Sequence, residues 1–141
     1  MIDIKIIEDV QRGVERDLMG AIERGTRNAL QALALQAQGF AVQSILQGPK
    51  TGRIYKRGKG FHQASAPGEA PANDLGFLAS SLRIVITDKN QVDLSAMAPY
   101  AIHLEYGTRN MRPRPFLRPA GEKAGANAKA VFDAYIKDAL R

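Results

Sequence analysis

The chain has 141 residues, 45% hydrophobic and 24% charged, a balance that supports one domain with one core and argues against wholesale disorder. It has no cysteine, which excludes disulfide frameworks, thiolate zinc sites and a cysteine nucleophile together. Twenty Lys and Arg against fourteen Asp and Glu give a net charge of +6, which points to a polyanionic neighbour or to a solvated basic surface. No apolar run approaches the roughly 20 residues that cross a bilayer, and Met1-Ile2-Asp3-Ile4-Lys5 lacks the order of a secretory signal, so a soluble protein without a membrane partner is expected.

In chain order, Ile2, Ile4 and Ile6 alternate with Asp3, Lys5 and Ile7, a pattern that reads as an edge strand or as the lead into a helix. From Val10 the apolar residues recur every three or four positions through Val14, Leu18, Ala21, Ile22, Ala29, Leu30, Leu33, Ala37, Phe40, Ala41 and Ile45, which predicts one face of a long helix. Gln47-Gly48-Pro49 ends it. Gly13, Gly20, Gly25 and Gly39 each cost about 1 kcal/mol relative to Ala in a helix interior, and a break between Gly20 and Gly25 is one way to relieve that cost.

Residues 48–76 hold nine of the chain's twenty Gly and Pro residues and predict a long loop, flexible over about 49–72. Lys50, Arg53, Lys56, Arg57 and Lys59 stand within residues 49–68, which hold no acid, and Tyr55 and Phe61 are interleaved with them. That composition suits contact with phosphates and sequence-blind base stacking, and equally a tether that docks on a partner subunit. Asn73 or Asp74 is placed to cap a short helix through Leu75, Phe77, Leu78 and Leu82. Residues 82–87 and 91–97, separated by Asp88-Lys89-Asn90, read as a β-hairpin with one buried face.

Residues 100–108 fit a strand and a helix equally well, whereas Arg112-Pro113-Arg114-Pro115 is held extended by its prolines. A final amphipathic helix carries Phe116, Leu117, Ala120, Ala124, Ala128, Val131, Phe132, Tyr135, Ile136 and Leu140 on its apolar side. His62, His103 and Glu105 are the only grouping that suggests a metal or an acid/base pair, since His103 and Glu105 share a face if their segment is a strand. A site needs three or four converging ligands, so neither catalysis nor a metal is expected from them. Ser65, Ser80 and Ser81 lack a nucleophile-elbow setting, and Thr51-Gly52 and Gly58-Lys59-Gly60 lack the order of a phosphate loop. No cofactor is expected.

Four stretches stand in an order that resembles a known family: Ala66-Pro67-Gly68-Glu69-Ala70-Pro71-Ala72; Asp74-Leu75-Gly76-Phe77-Leu78 with Ser80-Ser81-Leu82; Tyr100-Ala101-Ile102-His103-Leu104-Glu105-Tyr106-Gly107-Thr108; and Met111-Arg112-Pro113-Arg114-Pro115-Phe116-Leu117-Arg118-Pro119-Ala120. The combination is similar to the minor tail or neck components of long-tailed bacteriophages, typified by the gene-ten product of HK-type lambdoid phages, and covers roughly residues 66–120. In that family a Thr often precedes the Gly where this chain has Leu75. The resemblance implies a single α+β domain over residues 1–141, with a long N-terminal helix and a C-terminal helix packed on a small antiparallel sheet and a long extended loop. It implies no catalysis, but a structural virion protein forming a ring, six- or twelve-fold, at the head–tail junction. The partners would be further copies, other connector and tail proteins, and packaged DNA by nonspecific contact. The protein would lie in the virion, and in the host cytoplasm during assembly. On this reading Lys50, Arg53, Tyr55, Lys56, Arg57 and Lys59 form an assembly or DNA-facing arm. Tyr100, Glu105, Gly107, Thr108, Arg112, Arg114, Pro115, Phe116 and Leu117 form an interface motif, with Arg109 to Arg118 lining an interface or the channel. Two rival classes remain: a freestanding, sequence-nonspecific nucleic-acid-binding module, and an enzyme using His103 and Glu105.

Overall fold

One helix, α1 (Ile4–Gln47), runs 44 residues without interruption and is about 66 Å long at 1.5 Å per residue. The computed structural model describes the backbone of residues 4–141 and the side chains of residues 10–141. Of the two readings of the first residues, strand or lead into a helix, residues 4–7 take the helical one, and residues 1–3 lie outside the described residues. α1 does not break between Gly20 and Gly25. Gly25 is instead a contact point, where a Cβ would stand 3.0 Å from Ile136 Cα and 3.1 Å from Tyr135 O of the C-terminal helix. At the far end the Ser44 carbonyl accepts from the Gly48 N–H (3.1 Å) and from Lys50 Nζ (3.0 Å), so the chain turns off the helix with that carbonyl satisfied.

The remaining elements are β1 (Ile54–Arg57), β2 (Gly60–Gln63), α2 (Phe77–Ser80), β3 (Leu82–Asp88), β4 (Gln91–Ala96), α3 (Ala101–Tyr106), α4 (Leu117–Gly125) and α5 (Ala128–Ala139). The fold is α+β, with two antiparallel sheets of two strands each, β1-β2 and β3-β4. The β3–β4 hairpin follows the sequence closely, with Leu82 opposite Ala96, Ile84 opposite Leu94 and Ile86 opposite Val92, and its buried part is the Leu82 end, where Leu82, Leu94 and Ala96 join the core while Ile86 is exposed. α4 and α5 pack chiefly along α1 and not on a sheet. The single C-terminal helix expected from periodicity is two, interrupted at residues 126–127.

Two further expectations are corrected, and the choice left open for residues 100–108 is resolved. The stretch 49–72 contains the β1–β2 hairpin, whose turn Gly58-Lys59 has positive φ at its first central residue only, as in type II′ turns. α2 is preceded by Gly76 at φ 74° and takes no side-chain cap from Asn73 or Asp74, and Leu82 has already passed into β3. Residues 101–106 are helical.

The core lies where the C-terminal half of α1 meets α2, β3, α3 and α4, with Phe116, Ile45 and Leu82 its largest fully buried side chains. Ala41, Ala101 and Ala120 let the elements approach closely around them. Burying a side chain such as Phe116 is worth enough that its truncation to Ala would cost about 3–5 kcal/mol. Residues 10–18 of α1 have no such cover. Val10 and Val14 are 62% exposed and Leu18 is 47% exposed, contrary to the expectation of a continuous buried stripe, because α5 reaches α1 only as far as Gly25 and Ala21.

The two glycine environments predict opposite outcomes. Gly39→Ala meets open space and should raise stability by about 0.5–1 kcal/mol through helix propensity. Gly25→Leu must push α5 away and should lower it by about 1–3 kcal/mol. Urea denaturation of both variants beside the parent checks the pair.

Candidate functional site

The segment that carries the sequence resemblance folds into one tightly connected unit. Glu105, near the end of α3, is buried, and its carboxylate accepts three backbone hydrogen bonds from the start of α4: Phe116 N–H (2.8 Å) and Leu117 N–H (3.0 Å) to Oε2, and Arg118 N–H (2.8 Å) to Oε1. An α-helix leaves its first four N–H groups without partners. Here Glu105 takes three of them, and the fourth position is Pro119, which has no N–H. Phe116 offers no side-chain cap of its own, so the cap comes from eleven residues upstream. The negative charge also sits at the positive end of the α4 dipole.

The link between Glu105 and Phe116 is equally constrained. Gly107 ends α3 with φ 78°, and a Cβ there would stand 2.7 Å from Met111 O and 2.9 Å from Pro113 Cδ. Thr108 and Met111 bond to each other across the turn, and Arg114 N–H donates to Leu104 O at 2.7 Å. The Arg114 guanidinium donates to Ser65 O (3.2 Å) and ties this unit to the loop before it. Arg114 is thus a structural link, whereas Arg109, Arg112 and Arg118 are exposed.

The basic arm is also anchored, at a residue that sequence reasoning passed over. Glu69 accepts from the Thr51 hydroxyl (2.5 Å), Thr51 N–H (2.9 Å) and Ala66 N–H (2.8 Å), and so fastens the two ends of the arm together. Those bonds, the Thr51 hydroxyl first, hold its carboxyl below the ordinary value, and the Lys50 charge adds to the effect. Burial lowers the Lys50 ammonium, and Glu69 acts against that. The five basic residues of the arm therefore separate. Lys50 closes the end of α1, and Arg57 forms an ion pair with Asp74. Arg53, Lys56 and Lys59 are exposed, and their side chains make no ion pair or hydrogen bond among the described residues.

Within the hairpin, Tyr55 stands opposite His62, ring centroids 5.4 Å apart, and with Arg57 they face an open groove of about 640 Å³ against Leu78 and Tyr100. Tyr100 also lies beside Phe77 across that groove, centroids 6.3 Å apart, with both rings exposed. Ile54, Lys56 and Phe61 project from the other face of the hairpin into solvent, Phe61 at 80% exposure.

His103 and Glu105 do not converge, since two residues apart on a helix they point to different sides, His103 exposed and Glu105 buried. No group of three or more His, Asp or Glu residues able to hold a metal, and no helix long and apolar enough to cross a membrane, is found among the described residues. Of the expected interface motif, Glu105 and Phe116 are buried and Gly107, Arg114, Pro115 and Leu117 are half-buried, whereas Tyr100, Thr108 and Arg112 face solvent. Compared with protein-family models, curated proteins and solved structures, the chain matches none of them.

Two predictions test these anchors. Glu105→Gln keeps the shape but turns an amide NH₂ toward backbone donors, and should lower stability by about 2–4 kcal/mol in chemical denaturation. Glu69 titrates below its ordinary value of 4.5, so its contribution is complete above that value and is lost as pH falls through the lower folded-state value. Amide exchange at Thr51 and Ala66 should accelerate beyond the intrinsic trend only as the pH falls below 4.5, and that transition should be absent in Glu69→Gln.

Proposed function

We propose that this chain is a non-catalytic structural subunit of the bacteriophage head–tail junction, a neck or tail-completion component that works as part of an oligomeric ring. The observation that carries the oligomeric part is the amount of surface left open. The chain has an accessible surface of 10095 Å², against about 7,100 Å² for a compact monomer of its mass. A surplus of that order, about 3,000 Å², is what obligate complexes cover. Much of it is apolar, including Val10, Val14, Phe61, Phe77, Ile102 and Tyr106.

The head–tail assignment rests on the sequence resemblance over roughly residues 66–120. What supports it in the geometry is that Glu105 serves the scaffold, occupied by three backbone donors. A second reading, a freestanding nucleic-acid-binding module, draws on the free cations Arg53, Lys56 and Lys59. Phosphate contacts by these residues would be indifferent to sequence and steeply salt-dependent.

Light scattering after size exclusion tests the ring. A discrete assembly of fixed stoichiometry, unchanged in His103→Ala, is the expected result; a monomer at every concentration, with or without tail and head components, removes the reading. DNA titration at low and moderate salt separates the alternative. The isolated chain should show no DNA affinity. Salt-sensitive binding that disappears when Arg53, Lys56 and Lys59 are all replaced by Gln, with assembly unimpaired, establishes the nucleic-acid module instead.

A further inference from the structure

We propose that the outward face of the β1–β2 hairpin of one copy docks on the N-terminal third of α1 of a second copy. The inference rests on the ring reading above and names the two surfaces that meet in it. The receiving surface is the uncovered stripe Val10, Val14 and Leu18. At 3.6 residues per turn these three lie within about 80° of one another. Asp17 falls about 20° beyond one edge of the stripe and Glu15 about 60° beyond the other, both exposed, while Arg12 and Arg16 fall on the opposite side of the helix. The stripe continues in line into Ala21, Gly25 and Ala29, the stretch of α1 that is already buried within its own subunit.

The docking surface is complementary in both respects. Ile54 and Phe61 are apolar, exposed and on one face of the hairpin, and Lys56 stands on that face directly opposite Phe61. Lys59 at the turn and Arg53 at the base add two more cations that make no contact among the described residues. Apolar side chains flanked by cations thus match apolar side chains flanked by carboxylates, which selects this pairing over one α1 stripe against another, where like charges would meet.

Reach requires the partner to be a different copy. Lys50 fixes the root of the arm at Ser44, about 39 Å along α1 from Leu18. From Gly52 to the Gly58 turn the hairpin spans about 20 Å at most. An arm therefore falls short of its own stripe. A contact between two different patches is heterologous and repeats from subunit to subunit, which closes a ring or extends a filament.

The absence of cysteine makes single-cysteine cross-linking clean. Leu18 and Phe61 are exposed, so Leu18→Cys and Phe61→Cys should each fold as the parent does. Mixed and mildly oxidised, the two variants should give a disulfide dimer containing one chain of each, with either variant alone giving little. Reversal of the acids, Glu15→Lys with Asp17→Lys, should weaken self-association at least about tenfold, and adding Lys56→Glu with Lys59→Glu should restore it. Discrete oligomers without the mixed cross-link overturn the docking proposal and leave the ring intact. Equally efficient cross-linking of Leu18→Cys alone overturns it in favour of helix-to-helix pairing. A chain that never associates overturns both.

Discussion

The Glu105 carboxylate is the constraint on which the rest of the body depends. Three N–H groups at the start of α4 need an acceptor, and the buried one, that of Phe116, would cost about 1–3 kcal/mol if left without it. One carboxylate satisfies all three, so α4 begins only where α3 places that carboxylate. Phe116 is buried at the same point, its N–H on Glu105 and its ring in the core beside α1. The Gly107 turn, the prolines at 113 and 115 and the Arg114 N–H bond to Leu104 O then fix how the chain travels between the two helices. Glu105, Gly107, Arg114 and Phe116 thus form an internal joint of the fold, while Tyr100, Thr108 and Arg112 of the same stretch stay at its surface.

This explains what could and could not be read in advance. The end of α1 at Gln47 and the β3–β4 hairpin were legible because periodicity, Gly-Pro punctuation and β-branched runs are local signals. The β1–β2 hairpin was not, because its four-residue strands are solvated and lie among glycines and cations, and what shapes them is Glu69, outside the hairpin. The cap supplied by Glu105 was hidden for the same reason: no local pattern marks a carboxylate serving a helix eleven residues ahead. Periodicity identified the apolar face of α1 along its length, but a period states that a face is apolar and not what covers it, so the exposure of Val10, Val14 and Leu18 had no sequence signal.

Charge needed the same correction. Five cations within the acid-free residues 49–68 suggested a polyanionic neighbour or a docking tether, yet Lys50 closes a helix end and Arg57 is paired with Asp74, which leaves three. A polyelectrolyte contact scales with the number of phosphates neutralised, so removing two of five cations weakens the case for DNA more than it weakens the case for a protein face. On a protein face, two or three charges set orientation and register while apolar side chains supply most of the attraction.

The arm is also built for such a contact. A two-stranded hairpin is marginal in water by itself, and an arm that had to order on docking would lose part of its attraction to that ordering. Glu69 holds its two ends together, Arg57 pins one strand to Asp74, and Tyr55 and His62 lie over the groove toward Tyr100. All of these contacts use the base or the inward face, so the outward face is shaped before any partner arrives. α1 is preorganised in the same sense, since one continuous helix carries residues 10–18 outward from the stretch packed against α4 and α5. On the docking proposal, two surfaces that are already formed, at opposite ends of one helix of about 66 Å, would transmit a fixed offset from each copy to the next. Individually small contacts can then add up around a closed assembly without each having to be strong.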